Sequence, residues 1–381
     1  MTTVFVPKES LSGETRVALV PETTKRLIEL KLRVELESGA AQGIHLADEV
    51  FTKVGAVIVG PDAWSRADLV LKVQPPTCEE VARMKRGAVL VSFVVPSAHR
   101  AAVDALAAAG VSTLAMDLIP RISRAQAMDA LSSQATVAGY KAVLLGATHL
   151  SKMCPLLMTA AGTVKPARVV VFGAGVAGLQ AIATAKRLGC VVEATDVRRA
   201  VKEQVESLGA RFIDVPGGED LSGEGGYAKE ASPEFLARQR EEVAKRVGDA
   251  DLVITTALVP GRPAPKLVSS AMVKSMRPGS VIVDMAVESG GNCEESQAGA
   301  VVERHGVTIV GLKNLPATVP LHASELYSKN VLNLVRLFVD KDGKMSTDFT
   351  DEVLAGALLT YGGQVTHKPT LQALTAQGAA S

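Results

Sequence analysis

Arg168-Val-Val-Val-Phe-Gly173-Ala-Gly175-Val-Ala-Gly178 is the stretch that decides the fold. An apolar β-branched run makes a buried parallel strand. Three glycines at this spacing permit a tight turn, close approach of backbone to a pyrophosphate, and close packing of the helix that follows. The free N–H groups at that helix start face the anion. Cys190-Val-Val-Glu-Ala-Thr-Asp196 then supplies a second strand, ending in an acid 18 residues beyond Gly178. Strand, turn, helix, strand and acid arriving in this order predict a dinucleotide site.

Asp196 favours NAD(H) over NADP(H). A carboxylate there accepts both ribose hydroxyls, whereas a 2′-phosphate would meet it at on the order of 4 kcal/mol per unit charge at contact. Arg198 and Arg199 stand just beyond. They could pair with a phosphate and favour NADP, or simply open the next helix and face solvent.

The 381 residues are 47% hydrophobic and 21% charged, enough for ample core and two domains. Net charge is +1 with 3% aromatics, which excludes a basic groove or stacking platform for nucleic acid. Cys78, Cys154, Cys190 and Cys293 form no C-x-x-C pair, and the six histidines are dispersed, so no metal site is expected. No charged-then-apolar leader opens the sequence and no apolar run approaches the roughly 18 residues of a membrane span. A cytoplasmic chain with reduced thiols is expected.

From residue 1 to about 116, short β runs at 3–6, 33–36, 56–59, 69–73, 88–94 and 112–115 alternate with helical stretches near 21–30, 78–86 and 97–109. A second series places strands at 168–172, 190–195, 211–215, 251–255, 280–284 and 307–310, with helices at 176–188, 198–208, 233–247 and 266–275. The fold class is α/β, with two Rossmann-like doubly wound domains. Segments 122–152 and 323–339 read as helical crossings, and the forty residues after the second return to the first domain. The expected division is 1–132 plus 323–381, with the NAD-binding domain, 133–322, inserted into it. The cleft between domains is then the expected seat of the nicotinamide.

The glycine-rich stretch 216–230 is longer than an ordinary strand-to-helix connection. It reads either as a mobile lid carrying Tyr227 or as a disordered surface loop. A second polar stretch, Pro120-Arg121-Ile-Ser-Arg124-Ala-Gln126-Ala-Met-Asp129-Ala-Leu-Ser132-Ser-Gln134, falls at the domain junction. On a helix Gln126, Asp129 and Ser132 share one stripe at three-residue spacing. That stripe is either a solvated helix face or a set of orienting groups. Hydride transfer to a carbonyl or imine requires a proton donor, whereas transfer between two nicotinamides requires only alignment and exclusion of water.

The chain closely resembles the NAD(H)-binding subunit of proton-translocating nicotinamide nucleotide transhydrogenase over essentially its whole length. The matching motifs are Arg121-Ile-Ser-Arg-Ala-Gln126, Met158-Thr-Ala-Ala-Gly-Thr, Gly173 through Gly189, Lys202-Glu-Gln-Val-Glu-Ser-Leu-Gly209, Gly225-Gly-Tyr-Ala-Lys-Glu230 and Ala286-Val-Glu-Ser-Gly-Gly-Asn292. The resemblance implies that Arg121, Gln126, Asp129 and Ser132 hold the nicotinamide end of NADH, with Gln126 toward the NADP(H) of a partner. It implies that Tyr227 caps the adenosine side. It also places Val176 and Ala177 of the turn, with Asp196, Val197, Arg198, Gly226 and Leu258, in the nucleotide pocket. Implied partners are an NADP(H)-binding subunit, a membrane-spanning proton-channel subunit and a second copy of this chain, on the cytoplasmic face of the membrane.

Alanine dehydrogenase is the nearest alternative, sharing Val6-Pro-Lys-Glu9 and Arg16-Val-Ala. That family's catalytic lysine falls at Gln74 and its catalytic histidine at Val95, so both proton-handling groups are gone. Arg16, which grips a substrate carboxylate there, remains, as a vestigial anion site or a structural ion pair. A third alternative is a non-enzymatic module that senses NADH. The stripe at 121–132 stands against it.

Overall fold

The computed structural model describes residues 1–214, 232–259 and 262–378. The stretch 216–230, with Gly226 and Tyr227, lies outside the described residues. Two compact units are present, Met1–Gln134 with Ala317–Ser381, and Ala135–Pro316. The chain passes from the first to the second within the helix Ala130–His149.

In the first unit the strands before the insertion are β1 (Thr3–Val6), β2 (Arg33–Glu37), β3 (Val57–Val59), β4 (Leu69–Leu71), β5 (Val89–Ser92) and β6 (Ser112–Ala115). The second unit contributes β7 (Leu157–Thr159), β8 (Gly162–Val164), β9 (Arg168–Phe172), β10 (Val191–Thr195), β11 (Arg211–Phe212), β12 (Leu252–Thr255), β13 (Val281–Asp284), β14 (Ala300–Arg304) and β15 (Val307–Gly311). After it come β16 (Leu358–Tyr361) and β17 (Gln364–Val365).

The first sheet runs β17-β16-β6-β5-β4-β1-β2-β3. β1 to β6 are parallel, and β16 adds antiparallel to β6. The central strand β4, Leu-Val-Leu, reads as an unbroken apolar run because both faces of the sheet are covered. Val4, Val6, Leu69, Val89 and Leu114 pack on one side, and Phe5, Val70, Leu90, Trp64 and Leu106 on the other.

The second sheet runs β11-β10-β9-β12-β13-β15-β14, parallel except for β14. Chain order runs outward in one direction from β9 and in the other from β12, which is the doubly wound pattern. The switch of direction therefore falls between β9 and β12, paired from Val169↔Leu252 to Phe172↔Thr255. Val169, Val171, Leu252 and Ile254 bury on one face, Val170, Phe172, Val253 and Ile282 on the other. Unanticipated from sequence are the two-stranded pair β7-β8, the antiparallel edge β14 and the β16-β17 hairpin. All are antiparallel pairings, so none adds a strand through the parallel βα crossover that the sequence pattern announces.

Candidate functional site

In a doubly wound sheet ligands bind beyond the carboxyl ends of the strands at the switch point. In the second unit that place is Gly173 after β9 and Thr256 after β12. Gly173 takes φ +92°, a left-handed conformation that a side chain would strain. The Thr256 hydroxyl donates to the Phe172 and Gly173 carbonyls at 3.0 and 3.2 Å, tying the two strand ends together. The helix Val176–Arg187 starts immediately. A Cβ on Gly178 would lie 1.8 Å from the Gly173 carbonyl oxygen, so this glycine is demanded by packing of helix on turn.

Gly175 differs from both. Its φ of −77° and ψ of −169° suit any residue. A Cβ there would have Arg198 Nη2 as its nearest neighbour, at 3.9 Å. Among the described residues nothing requires glycine at this position and no atom fills the space in front of it, and none of them pairs the N–H groups of the first helical turn beside it.

Asp196 and Arg198 form one unit. The carboxylate accepts from the Ala174 N–H at 2.7 Å and the Arg198 N–H at 2.8 Å. It also takes the Arg198 guanidinium, through Nε at 2.9 Å and Nη2 at 2.8 Å. Their side chains are 6% and 16% exposed. Arg198 is extended, at φ −89° and ψ 111°, and helical backbone begins only at Arg199. The alternative in which Arg198 opens a helix and faces solvent is therefore corrected, since the fork folds back onto the acid two residues earlier. Val197 is half-buried, Ala177 likewise, and Val176 and Leu258 are exposed.

Leu258 follows Ala257, whose N–H and C=O are both held by the Asn292 amide, at 3.0 and 2.9 Å. Asn292 is fully buried and also donates to the Pro265 carbonyl at 2.8 Å. Thr256 and Asn292 are supports that sequence reasoning does not single out. Asn292 is visible there only as the last residue of a motif.

In the first unit Gln126 lies on a 3₁₀ turn, Ser123–Met128, and Asp129 leaves it with ψ 86° before the helix Ala130–His149 begins. One continuous helical stripe does not form, because Asp129 caps the helix. Its carboxylate accepts from the Ser132 N–H at 2.9 Å and the Ser132 hydroxyl at 2.5 Å. Arg121 and Gln126 are exposed. Among the described residues no hydrogen bond of the Gln126 side chain occurs, which leaves its amide available to a ligand.

The switch point of the first sheet lies between β1 and β4, and its own side chains fill it. Lys72, fully buried, lies 3.2 Å from Glu9 and 3.3 Å from Glu80. Burial pushes the Glu9 carboxyl up, against the opposing pull of Lys72. Arg16 binds Glu14 through Nε at 2.8 Å and Nη2 at 2.6 Å, and donates through Nη1 to Gln134 at 2.8 Å. The Gln74 amide donates to Glu14 at 2.6 Å. Burial alone would raise Glu14, but the Arg16 fork and the Gln74 amide outweigh it and bring the carboxyl down to about 2. Arg16 is thus the member of a buried ion pair. Val95, exposed and at φ +48°, has its N–H held by Asp117 at 3.0 Å.

Among known proteins, the family profile described as "Alanine dehydrogenase/PNT, N-terminal domain" matches residues 5–138, and that described as "Alanine dehydrogenase/PNT, C-terminal domain" matches 142–368. The chain belongs to the alanine dehydrogenase/PNT family. An NAD(P) transhydrogenase subunit alpha chain of Rhodospirillum rubrum is 50% identical to it, covering 99% of this chain and 100% of the relative. A crystal structure of transhydrogenase from Sinorhizobium meliloti superposes with a TM-score of 0.88 at 46% identity, covering 95% of this chain and 99% of that one. The alanine dehydrogenase of Mycobacterium tuberculosis is 32% identical, covering 94% of this chain and 93% of the relative.

Gln74, where the resemblance to alanine dehydrogenase implies a lysine, is committed to Glu14, and Val95, where it implies a histidine, has no titratable proton. Among the described residues no helix is long and apolar enough to cross a membrane.

Proposed function

We propose that this chain is the NAD(H)-binding subunit of a proton-translocating transhydrogenase. It binds NADH and passes a hydride from the nicotinamide to NADP⁺ held by a separate subunit. The observation that carries this is the pair Gln74 and Val95, which leaves no proton donor where an amino-acid dehydrogenase needs one. A hydride carries both electrons, so NADH becomes NAD⁺ and NADP⁺ becomes NADPH with no proton exchanged at the rings. The chain's task is then to orient and to exclude water.

In this proposal the first-turn N–H groups beside Gly175 hold the pyrophosphate, and Asp196 holds the adenosine ribose, with Val197 and Arg198 lining that end of the pocket. Val176, Ala177 and Leu258 line the pocket, and Gly226 and Tyr227 close it from outside the described residues. Arg121, Gln126, Asp129 and Ser132 orient the nicotinamide, with the exposed Gln126 amide toward the partner's nucleotide. Partners are an NADP(H)-binding subunit and a membrane-spanning subunit that conducts protons, so the chain is attached peripherally on the cytoplasmic side. A second copy of the chain completes a homodimer. The exposed apolar side chains of Met153, Leu156, Leu157, Met158 and Val164 around β7 and β8 support that.

The test mixes the full chain with an NADP-binding transhydrogenase subunit and follows hydride transfer from NADH to an NADP⁺ analogue. Transfer that requires both proteins is expected. Pyruvate- or alanine-dependent turnover by the chain alone would overturn the proposal in favour of an amino-acid dehydrogenase.

A further inference from the structure

Asp196 has four donors on two oxygens, which uses the lone-pair positions a carboxylate offers. Two donors are backbone N–H groups of the turn, Ala174 and Arg198, and are fixed by the fold. The other two belong to the Arg198 guanidinium, which hangs on a rotatable side chain. The same guanidinium is the nearest group to the open face of Gly175. A ribose can therefore reach Asp196 only by displacing it.

We propose that Arg198 is an internal competitor for the ribose position on Asp196, and that this competition sorts NADH from NADPH. The inference rests on the function proposed above and deepens it. A 2′,3′-diol brings two O–H donors, so the carboxylate exchanges donors for donors and stays satisfied. A 2′-phosphate brings only acceptor oxygens and about 1.5 to 2 negative charges. It cannot replace the guanidinium at Asp196. Nor can it recruit the guanidinium without stripping donors from a carboxylate that is 6% exposed. Asp196 thus discriminates twice, by repelling the phosphate and by holding the Arg198 fork, which would otherwise bind it bidentately.

Calorimetric titration of the full chain with NADH and with NADPH tests this, using the wild type, Asp196→Asn, Arg198→Gln and the double variant. Removing the competitor in Arg198→Gln should tighten NADH binding by roughly two- to fivefold, the scale of a partly exposed ion pair. The variant should still reject NADPH. Asp196→Asn keeps an acceptor for the turn N–H groups but releases the guanidinium, so NADPH affinity should rise at least about tenfold. The double variant should lose that gain.

Weaker NADH binding by Arg198→Gln, or a double variant that keeps the NADPH gain, would overturn the competitor role. A readout independent of any variant's folding is the Arg198 Nε–H resonance of the wild-type chain. It should shift on saturation with NADH, and an unmoved resonance would equally overturn the proposal. Wild-type chain that binds no NADH at all refutes the parent function as well, which keeps the two failures distinct.

Discussion

Alanine at Gly175 separates a glycine needed by a ligand from one needed by the fold. At φ −77° and ψ −169° the backbone already suits alanine, and the added methyl would meet no atom closer than 3.9 Å. Alanine caps a helix less well than glycine by up to about 1 kcal/mol, while it lowers the entropy of the unfolded chain by about 0.4–1 kcal/mol. The two nearly cancel, and the unfolding midpoint should move by less than about 4 °C. Gly178→Ala is the control. Its Cβ would sit 1.8 Å from a backbone oxygen, so the turn must move, at a cost of about 3 kcal/mol and on the order of 10 °C.

Binding should order the two variants the other way. Leu179 is the first residue whose N–H finds a carbonyl of this helix, Gly175 O at 2.8 Å, which leaves the N–H groups of Val176, Ala177 and Gly178 for an anion. A methyl at residue 175 stands between them and a pyrophosphate. Losing one charge-assisted hydrogen bond, at about 1.5–3 kcal/mol, weakens NADH roughly 10- to 150-fold. Thermal unfolding followed by circular dichroism and titration calorimetry read the two quantities separately. If Gly175→Ala bound NADH as tightly as the wild type, no pyrophosphate rests on this turn. Unfolding as early as Gly178→Ala would make Gly175 a structural glycine.

Three further outcomes are expected. Gln126→Asn should slow hydride transfer far more than it weakens NADH, as measured by single-turnover rates beside Kd; equal losses would make Gln126 an ordinary binding group. Tyr227→Ala should raise the Kd for NADH, and an unchanged value would remove the residue from the site. Glu14, lowered from 4.5 to about 2, stays ionised in the folded chain after the unfolded chain has bound its proton. Its stabilisation, about 3 kcal/mol, is complete above about pH 4.5 and is lost as the pH falls toward 2. Glu14→Gln should therefore be less stable than the wild type at pH 7, by urea unfolding, with the gap narrowing below pH 4.5. A constant gap would show that Glu14 acts by packing alone.

The local steps of the second unit are legible because each has a local cause. β-branched runs prefer strands, Gly173 alone accepts a positive φ at the turn, and apolar periodicity marks the helix after it. The strands 168–172, 190–195 and 251–255 follow from that. Asp129 misleads for the complementary reason. Residues three apart suggest one face of a helix, but its carboxylate satisfies the Ser132 N–H better by ending one turn and capping the next.

What the sequence by itself determined is the α/β class, the glycine turn with its acid, and side chains without a titratable proton at Gln74 and Val95. These are statements about residue type at a position, and they need no knowledge of neighbours in space. Tertiary structure alone decided which groups are already occupied. Glu14 and Arg16 are neighbours in sequence, but Gln74 and Gln134 reach them from distant parts of the chain and only in the folded unit. That meeting turns an arginine that could grip a substrate into one locked in a buried ion pair. Arg198 lies two residues from Asp196, yet its direction depended on the low exposure of the carboxylate and the turn N–H groups that fix it. Burial and pairing set what a charged group can still bind, and both are properties of the folded chain.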